Sequence, residues 1–200
     1  VRIFLALLFI LSPYAVHAEN LQVFSKIVLR TGAGLYENTG TNKGSAVSTG
    51  GFNFQYVHFL NDRLAFGFGY MAQFDLNSSG VPISGLELLG RIYLKDRASR
   101  VVQKENWGEY IFQRNWNPYV STLYGKRQFY LGADLESLDP TKSLSGDYNV
   151  INIGLGGDLR LNSSFEFNME VSTSAFSFAG SDPRVQIKEN VFWMGLNYVF

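Results

Sequence analysis

Leu64-Ala65-Phe66-Gly67-Phe68-Gly69-Tyr70-Met71-Ala72-Gln73-Phe74-Asp75-Leu76 alternates from end to end. Leu64, Phe66, Phe68, Tyr70, Ala72, Phe74 and Leu76 share one face of an extended chain, with Ala65, Gly67, Gly69, Met71, Gln73 and Asp75 on the other. A period of two is the signature of a strand, because successive side chains point to opposite sides of the backbone. One face is bulky and apolar; the other is small or polar.

The same pattern recurs on both sides of this stretch. Asn61-Asp62-Arg63 is a tight turn of residues that turns favour, and it follows a strand over 48–60 with Phe52, Phe54 and Tyr56 opposite Asn53 and Gln55. A first strand over 22–36 sets Ile27, Leu29, Ala33 and Leu35 against Lys26, Arg30, Gly32 and Gly34. Downstream, 84–95 sets Leu86, Leu88, Ile92 and Leu94 against Glu87, Arg91 and Lys95. Near the end, Ile151, Ile153, Leu155, Leu159 and Leu161 oppose Asn152, Asp158 and Arg160. After the turn Asn162-Ser163-Ser164, Phe165, Phe167, Met169 and Val171 oppose Glu166, Asn168 and Glu170. The longer connections near 37–46, 77–82, 137–146 and 180–186 are polar and rich in Gly, Ser, Pro and Asp.

One strand breaks the clean separation. From Asn117, the phase that puts Tyr119, Ser121, Leu123, Phe129, Leu131 and Leu135 on the apolar face puts Arg127 there too. Gly125-Lys126-Arg127 is read as an interfacial rim, where an Arg can snorkel to lipid phosphates; a bulge or turn that changes the strand count is the alternative. The preceding segment 96–116 is long, charged and aromatic where a short turn is expected. It either folds as a small helix beneath the barrel or supplies two further strands, for a total of ten.

The chain ends carry targeting signals. Arg2, the apolar run Ile3 to Leu11, Pro13 and then Val16-His17-Ala18 have the three parts of a secretory signal peptide, with cleavage expected after Ala18. Residues 1–18 are therefore set aside and 19–200 form one domain of about 180 residues. The apolar run is too short for a membrane helix, which needs about 20 residues. At the other end Phe192, Met194, Leu196, Tyr198 and Phe200 alternate with Trp193, Gly195, Asn197 and Val199. This stretch resembles the C-terminal assembly signature of outer-membrane β-barrels of Gram-negative bacteria, and the resemblance implies the barrel-assembly machinery as a partner. Asn117-Pro118-Tyr119-Val120, Asn152 to Leu159, Phe165 to Glu170 and Gly195 to Phe200 resemble the second half of the small eight-stranded outer-membrane β-barrel family, the group that includes the OmpA transmembrane domain and OmpX. The segment 96–116 is longer than that family's usual turn.

Composition fits a barrel in a membrane. There are 17 Phe, 11 Tyr and 20 Gly, and no Cys, which excludes disulfides, cysteine ligand sets and an acylated lipoprotein cysteine. Mean hydropathy is near zero, as expected when polar lumen residues dilute apolar lipid-facing ones. Charge is balanced at 17 Lys+Arg against 17 Asp+Glu, so no basic footprint for nucleic acid is present. A soluble β-sandwich also alternates, but its apolar face would be a closed core, and the apolar face here is too aromatic and too extended for that. Closure into a barrel leaves no edge unpaired and turns the polar face inward, while Arg or Lys facing lipid at mid-membrane would cost about 2–4 kcal/mol. The expected fold is a transmembrane antiparallel up-and-down β-barrel of eight strands, or ten, monomeric in outer-membrane lipid and lipopolysaccharide. Short turns and both mature termini are expected on the periplasmic side.

Chemical motifs are few. Gly67-Phe68-Gly69-Tyr70-Met71-Ala72 matches a dinucleotide-binding pattern, but it lies inside a strand with no helix after it; its glycines read as small residues that make room for bulky neighbours in a narrow lumen. His58 is the one candidate base of a lipid A-modifying enzyme. A base needs a nucleophile and an orienting acid in reach, and with Ser48 at the far end of the strand and Asp62 in the turn, His58 reads as an interfacial histidine. No catalytic, cofactor or metal residues are assigned.

The inward charges Lys26, Arg30, Asp75, Glu87, Arg91, Lys95, Lys126, Asp134, Asp158, Arg160, Glu166 and Glu170 are of mixed sign. Eight strands enclose an interior that side chains just fill, so these charges are expected to pair into a network that plugs the lumen. The function expected is then carried by the exterior loops: envelope integrity, adhesion or surface recognition. A narrow channel for small solutes is the alternative and a lipid A-modifying enzyme the second.

Overall fold

The structure, a computed structural model, describes residues 25–39, 46–76, 83–95, 101–105, 108–112, 116–131, 144–161, 164–180 and 186–200. The signal-peptide reading of 1–18 and the placements of Asp134 and Leu135 lie outside these residues. Ten strands form in chain order: β1 Ser25–Asn38, β2 Val47–Phe59, β3 Leu64–Asp75, β4 Ile83–Tyr93, β5 Val101–Glu105, β6 Gly108–Phe112, β7 Trp116–Leu131, β8 Leu144–Arg160, β9 Phe165–Ala179 and β10 Ile187–Val199. Eight of them close into an antiparallel barrel in the order β1-β10-β9-β8-β7-β4-β3-β2. The remaining two, β5 and β6, pair only with each other. Among the described residues of the segment 96–116, 101–105 and 108–112 thus form a separate hairpin, neither a helix nor barrel strands nine and ten.

Register defines the geometry. Following directly opposed residues around the barrel leads from Ser25 through His58, Phe66, Gly90, Thr122, Ile153, Thr173 and Asn190 to Leu35, ten residues along β1 from the start. This stagger, or shear, is what tilts barrel strands against the axis. One end of the barrel carries Ser25 and Phe200, joined by Ser25 N–H to Phe200 O (3.2 Å) and Phe200 N–H to Ser25 O (3.1 Å). At this termini end the β2–β3 turn is set by Asn61, whose Oδ1 accepts from the N–H groups of Arg63 (2.9 Å) and Leu64 (2.7 Å). The opposite end carries the β1–β2, β3–β4, β7–β8 and β9–β10 connections and is called the loop end; the longer β4–β7 connection, with β5 and β6, leaves from the termini end.

The two faces of the wall are inverted relative to a soluble protein. Leu29, Phe54, Phe68, Leu86, Leu88, Leu155, Val171, Met194 and Leu196 are exposed, whereas Lys26, Arg30, Glu87, Arg91, Asp158, Glu170 and Asn197 are buried. Charged side chains on the outer face, among the described residues, sit near the loop end: Glu37, Lys126, Asp147 and Lys188. Two apolar clusters bracket the interior. Val28, Val57, Phe59, Ala65, Leu89, Tyr93 and Tyr119 lie toward the termini end, and Tyr36, Met71, Ile83, Phe129, Tyr148, Val150, Ile187, Val191 and Trp193 toward the loop end.

β7 corrects the expected phase. Tyr119, Ser121, Leu123, Arg127 and Phe129 point inward and are buried, while Thr122, Tyr124, Lys126 and Gln128 are exposed. Lys126, expected in the lumen, is on the outer face, and Arg127, expected at the rim, is in the lumen. The reason is that a packed barrel interior accepts Tyr, Leu and Phe as readily as lipid does, so apolar residues do not distinguish the faces. A charge does, because only the interior offers it a counterion.

β9 contains the one irregularity in the barrel ladders. Asn152 faces Ser174 but Ile151 faces Phe176, which leaves Ala175 as an extra residue in β9. Such a bulge shifts the side-chain phase by one. Without it Phe176 and Phe178 would continue the inward series of Glu166, Asn168, Glu170, Ser172 and Ser174; with it they are exposed and stacked, 6.4 Å between ring centroids.

Candidate functional site: the lumen charge network

Among the described residues nine charged side chains are buried in the lumen: Lys26, Arg30, Arg91 and Arg127 with Glu87, Asp158, Glu166, Glu170 and Glu189. They form one continuous hydrogen-bonded chain along the barrel. At the loop end Arg127 donates from Nε to Glu189 (3.2 Å) and from Nη2 to Glu87 (2.7 Å). Glu87 also accepts from Asn53 (2.7 Å) and Gln55 (3.1 Å). Asn53 Oδ1 in turn accepts from Arg30 Nη2 (2.9 Å), and Arg30 Nη1 donates to Glu170 (2.7 Å). Glu170 is the hub of the middle layer, accepting from Arg91 (3.2 Å), Tyr119 (2.8 Å) and Ser121 (3.0 Å) as well.

Asn168 continues the chain toward the termini end, donating to Tyr119 Oη (2.8 Å) and to Asp158 (2.7 Å). Asp158 and Glu166 both pair with Lys26, and both accept from Asn197, at 2.9 and 3.2 Å. The Lys26 ammonium also donates to Tyr93 Oη (2.9 Å) and lies 5.3 and 5.5 Å from the Tyr93 and Phe59 ring centres. Arg91 lies over Tyr119 at 4.5 Å and Arg30 over Trp193 at 5.7 Å. Taking these charges from water costs several kcal/mol per ion, which only well-placed counterions and donors offset. Every charge in the network has a counterion within it, but Arg91 Nε and Nη1 and Asn197 Oδ1 are buried without a hydrogen-bond partner, so the network fixes side-chain positions more surely than it adds stability.

Glycines make the room for it. A β-carbon on Gly156 would stand 2.6 Å from the Tyr119 ring, and one on Gly125 2.6 Å from the Arg127 guanidinium. The large side chains lie across the backbone where a neighbour has none.

Of the residues expected in the lumen, Lys26, Arg30, Glu87, Arg91, Asp158, Glu166 and Glu170 meet there. Arg160, the last residue of β8, is half-buried and faces Glu166 across the ladder. Asp75, the last residue of β3, is half-buried toward the loop end. Lys95 is not in the network: β4 ends at Tyr93, and two residues beyond it Lys95 is exposed, because alternation no longer directs a side chain once the strand has stopped. Arg127 and Glu189 are the members the sequence reading missed. Glu189 is in the inward phase of Val191, Trp193 and Asn197, and extending that phase back through β10 would have found it. In the C-terminal stretch Met194, Leu196, Tyr198 and Phe200 are on the outer face as expected.

His58 lies on the outer face at the termini end. Its Nδ1 is 3.0 Å from Ser25 Oγ, which is 2.9 Å from Tyr56 Oη, and its ring meets Phe66 edge-on at 5.5 Å. The structure thus brings Ser25, not Ser48, to His58. No carboxylate partner to the imidazole is present among the described residues, and no group of three or more His, Cys, Asp or Glu is arranged to hold a metal among them.

No known protein-family profile matches this sequence, and a comparison with curated proteins returns no match. Solved structures do match. Neisserial surface protein A is similar over 87% of this chain and 97% of its own, with 9% sequence identity and a TM-score of 0.54. The N-terminal β-barrel domain of Pseudomonas aeruginosa OprF is similar over 86% of this chain and 97% of its own, with 13% identity and a TM-score of 0.50. The outer membrane protein OprG of Pseudomonas aeruginosa aligns with 16% identity, 88% and 96% coverage and a TM-score of 0.48. The closed eight-strand architecture and the similarities to Neisserial surface protein A and the OprF barrel domain together establish that this chain has the fold of the small eight-stranded outer-membrane β-barrels.

Proposed function

We propose that the protein is a non-catalytic, monomeric barrel of the outer membrane whose lumen is closed to ions, with a role in envelope integrity, adhesion or surface recognition carried by the loop end. The observation that carries this reading is the filled interior. Buried side chains from seven of the eight barrel strands, all but β3, are joined into one network, and the members that would have to part for a path to open are also one another's counterions. The outer face, whose charged side chains among the described residues sit near the loop end, suits it to outer-membrane lipid and lipopolysaccharide, and the C-terminal strand to the assembly machinery. With the termini and the short β2–β3 and β8–β9 turns at one end, beside the longer connection that carries β5 and β6, the termini end would face the periplasm and the loop end the exterior. A non-catalytic role is supported by the surroundings of His58, which meets Ser25 Oγ at 3.0 Å without a carboxylate to orient the imidazole among the described residues.

The test is conductance of the refolded full mature barrel in a planar lipid bilayer, wild type beside Arg91→Ala and Glu87→Ala, with folding checked by heat-dependent gel mobility. The wild type is expected to be silent. Stable openings that change with the two substitutions would replace this reading with a narrow channel for small solutes.

A further inference from the structure

Alternation of apolar and polar residues sorts side chains between lipid and lumen, but it is unchanged when a strand slides by two. Seven of the eight strand pairings in the barrel join strands consecutive within it, so the connecting segment restrains sliding. The eighth, β1 with β10, joins the first barrel strand to the last. There no connection fixes the register, and the register there decides the shear: ten as observed, eight or twelve if β1 slides by two either way.

The inward residues of β1 are Lys26, Val28, Arg30, Gly32, Gly34 and Tyr36. Its two cations pair with carboxylates beyond the adjacent strand: Lys26 with Asp158 on β8 and Glu166 on β9, Arg30 with Glu170 on β9. These carboxylates are held in place without β1. Asn168 and Asn197 hold Asp158, Asn197 holds Glu166, and Arg91, Tyr119 and Ser121 hold Glu170. Lys26 and Arg30 are two inward steps apart on β1, as are Glu166 and Glu170 on β9, and the two strands run in the same direction. A slide by two puts Val28 or Gly32 where a cation belongs and leaves buried carboxylates facing apolar groups.

We propose that Lys26 and Arg30 are positioning residues that select the register of the closing seam, and with it the shear of ten. The barrel closes in register when both cations seat in sites already built on β8 and β9.

The chain has no cysteine, so introduced pairs report alone. Leu29 and Leu196 are directly opposed on the outer face of the seam, and opposed residues come within disulfide reach. Ile27 with Leu196 and Thr31 with Leu196 are diagonal, about 7–8 Å apart and out of reach unless β1 has slid by two. The full mature barrel, refolded into lipid vesicles, is oxidised with each pair replaced by cysteines. The parent is expected to cross-link only through Leu29→Cys with Leu196→Cys. In Lys26→Met/Arg30→Met the diagonal cross-links are expected to rise about tenfold, and Lys26→Arg/Arg30→Lys is expected to suppress them.

A second variant, Lys26→Val/Val28→Lys/Arg30→Val/Gly32→Arg, moves both cations by two while keeping the interior charge, and is expected to favour the Thr31–Leu196 diagonal pair; it carries the test where the double Met variant does not fold. Heat-modifiable barrels of either variant that cross-link only through the native pair would overturn the proposal, and so would failure of the cation-shifted variant to form any diagonal pair. The outcome is independent of whether the lumen conducts.

Discussion

Arg127 and Glu189 meet across the loop end of the lumen, 3.2 Å from Nε to Oε1, although β7 and β10 are separated by two strands. The same guanidinium holds Glu87 at 2.7 Å, so one cation serves two buried carboxylates. Arg127→Met should therefore destabilise the barrel by about 3–5 kcal/mol, the usual cost of stranding a buried charge. Glu189→Gln added to Arg127→Met should recover part of that loss. Reversible urea unfolding in detergent micelles or vesicles measures both; additive losses would show that the pair is uncoupled.

The inverted phase of β7 can be read directly by chemistry. Lys126→Cys should be modified by a thiol reagent from outside the barrel wall, whereas Arg127→Cys should be protected in the folded state and react only after unfolding. Equal protection at both positions, or the reverse order, would return β7 to the phase that its apolar residues suggest.

Two glycines that look alike in sequence should respond differently to one added methyl group. Gly156→Ala pushes a β-carbon to 2.6 Å from the Tyr119 hydroxyl and 2.7 Å from Met169 O, displacing the ring that donates to Glu170, at an expected cost of about 1–3 kcal/mol. Gly90→Ala meets nothing within 4 Å on the outer face and should be neutral or stabilising by about 0.4–1 kcal/mol through the unfolded chain. The two unfolding midpoints, measured side by side, decide it.

Ser25 and His58 form a hydrogen-bonded pair with Tyr56 at the lipid boundary, and the expectation is that it holds the seam end of β1 to β2. His58→Ala and Ser25→Ala should each lower stability by about 0.5–1.5 kcal/mol, the net worth of an ordinary hydrogen bond, and leave the lipid composition of expressing cells unchanged. Modification of lipid A or phospholipid that depends on both residues, seen by mass spectrometry of extracted lipid, would bring back the lipid-modifying enzyme.

How much of this was legible in the chain follows from what each residue can discriminate. Leu64 to Leu76 located a strand and its lipid face because Phe, Leu and Tyr on one side oppose Gly, Gln and Asp on the other. Lys26, Arg30, Glu87, Arg91, Asp158, Glu166 and Glu170 were legible as lumen residues because a charge inside the membrane has no other place to go. Tyr119, Leu123 and Phe129 mislead because lipid and a packed interior attract them alike; Arg127 is the better guide to that strand. Lys95 misled because alternation was carried two residues past the end of β4. The hairpin β5–β6 could not be separated from barrel strands by pattern, since pairing partners are not written in a strand's own sequence. The Ala175 bulge was invisible for the same reason: it exists only relative to β8.

The position of that hairpin has a practical side. It is inserted between β4 and β7, yet Tyr93 and Tyr119 face each other at the base of an uninterrupted ladder. The wall does not register what is looped out at this corner, so it is the natural place to graft an epitope, a fluorescent domain or a tether. Such a graft would hang from the end that carries the termini and leave the opposite rim free for whatever it meets.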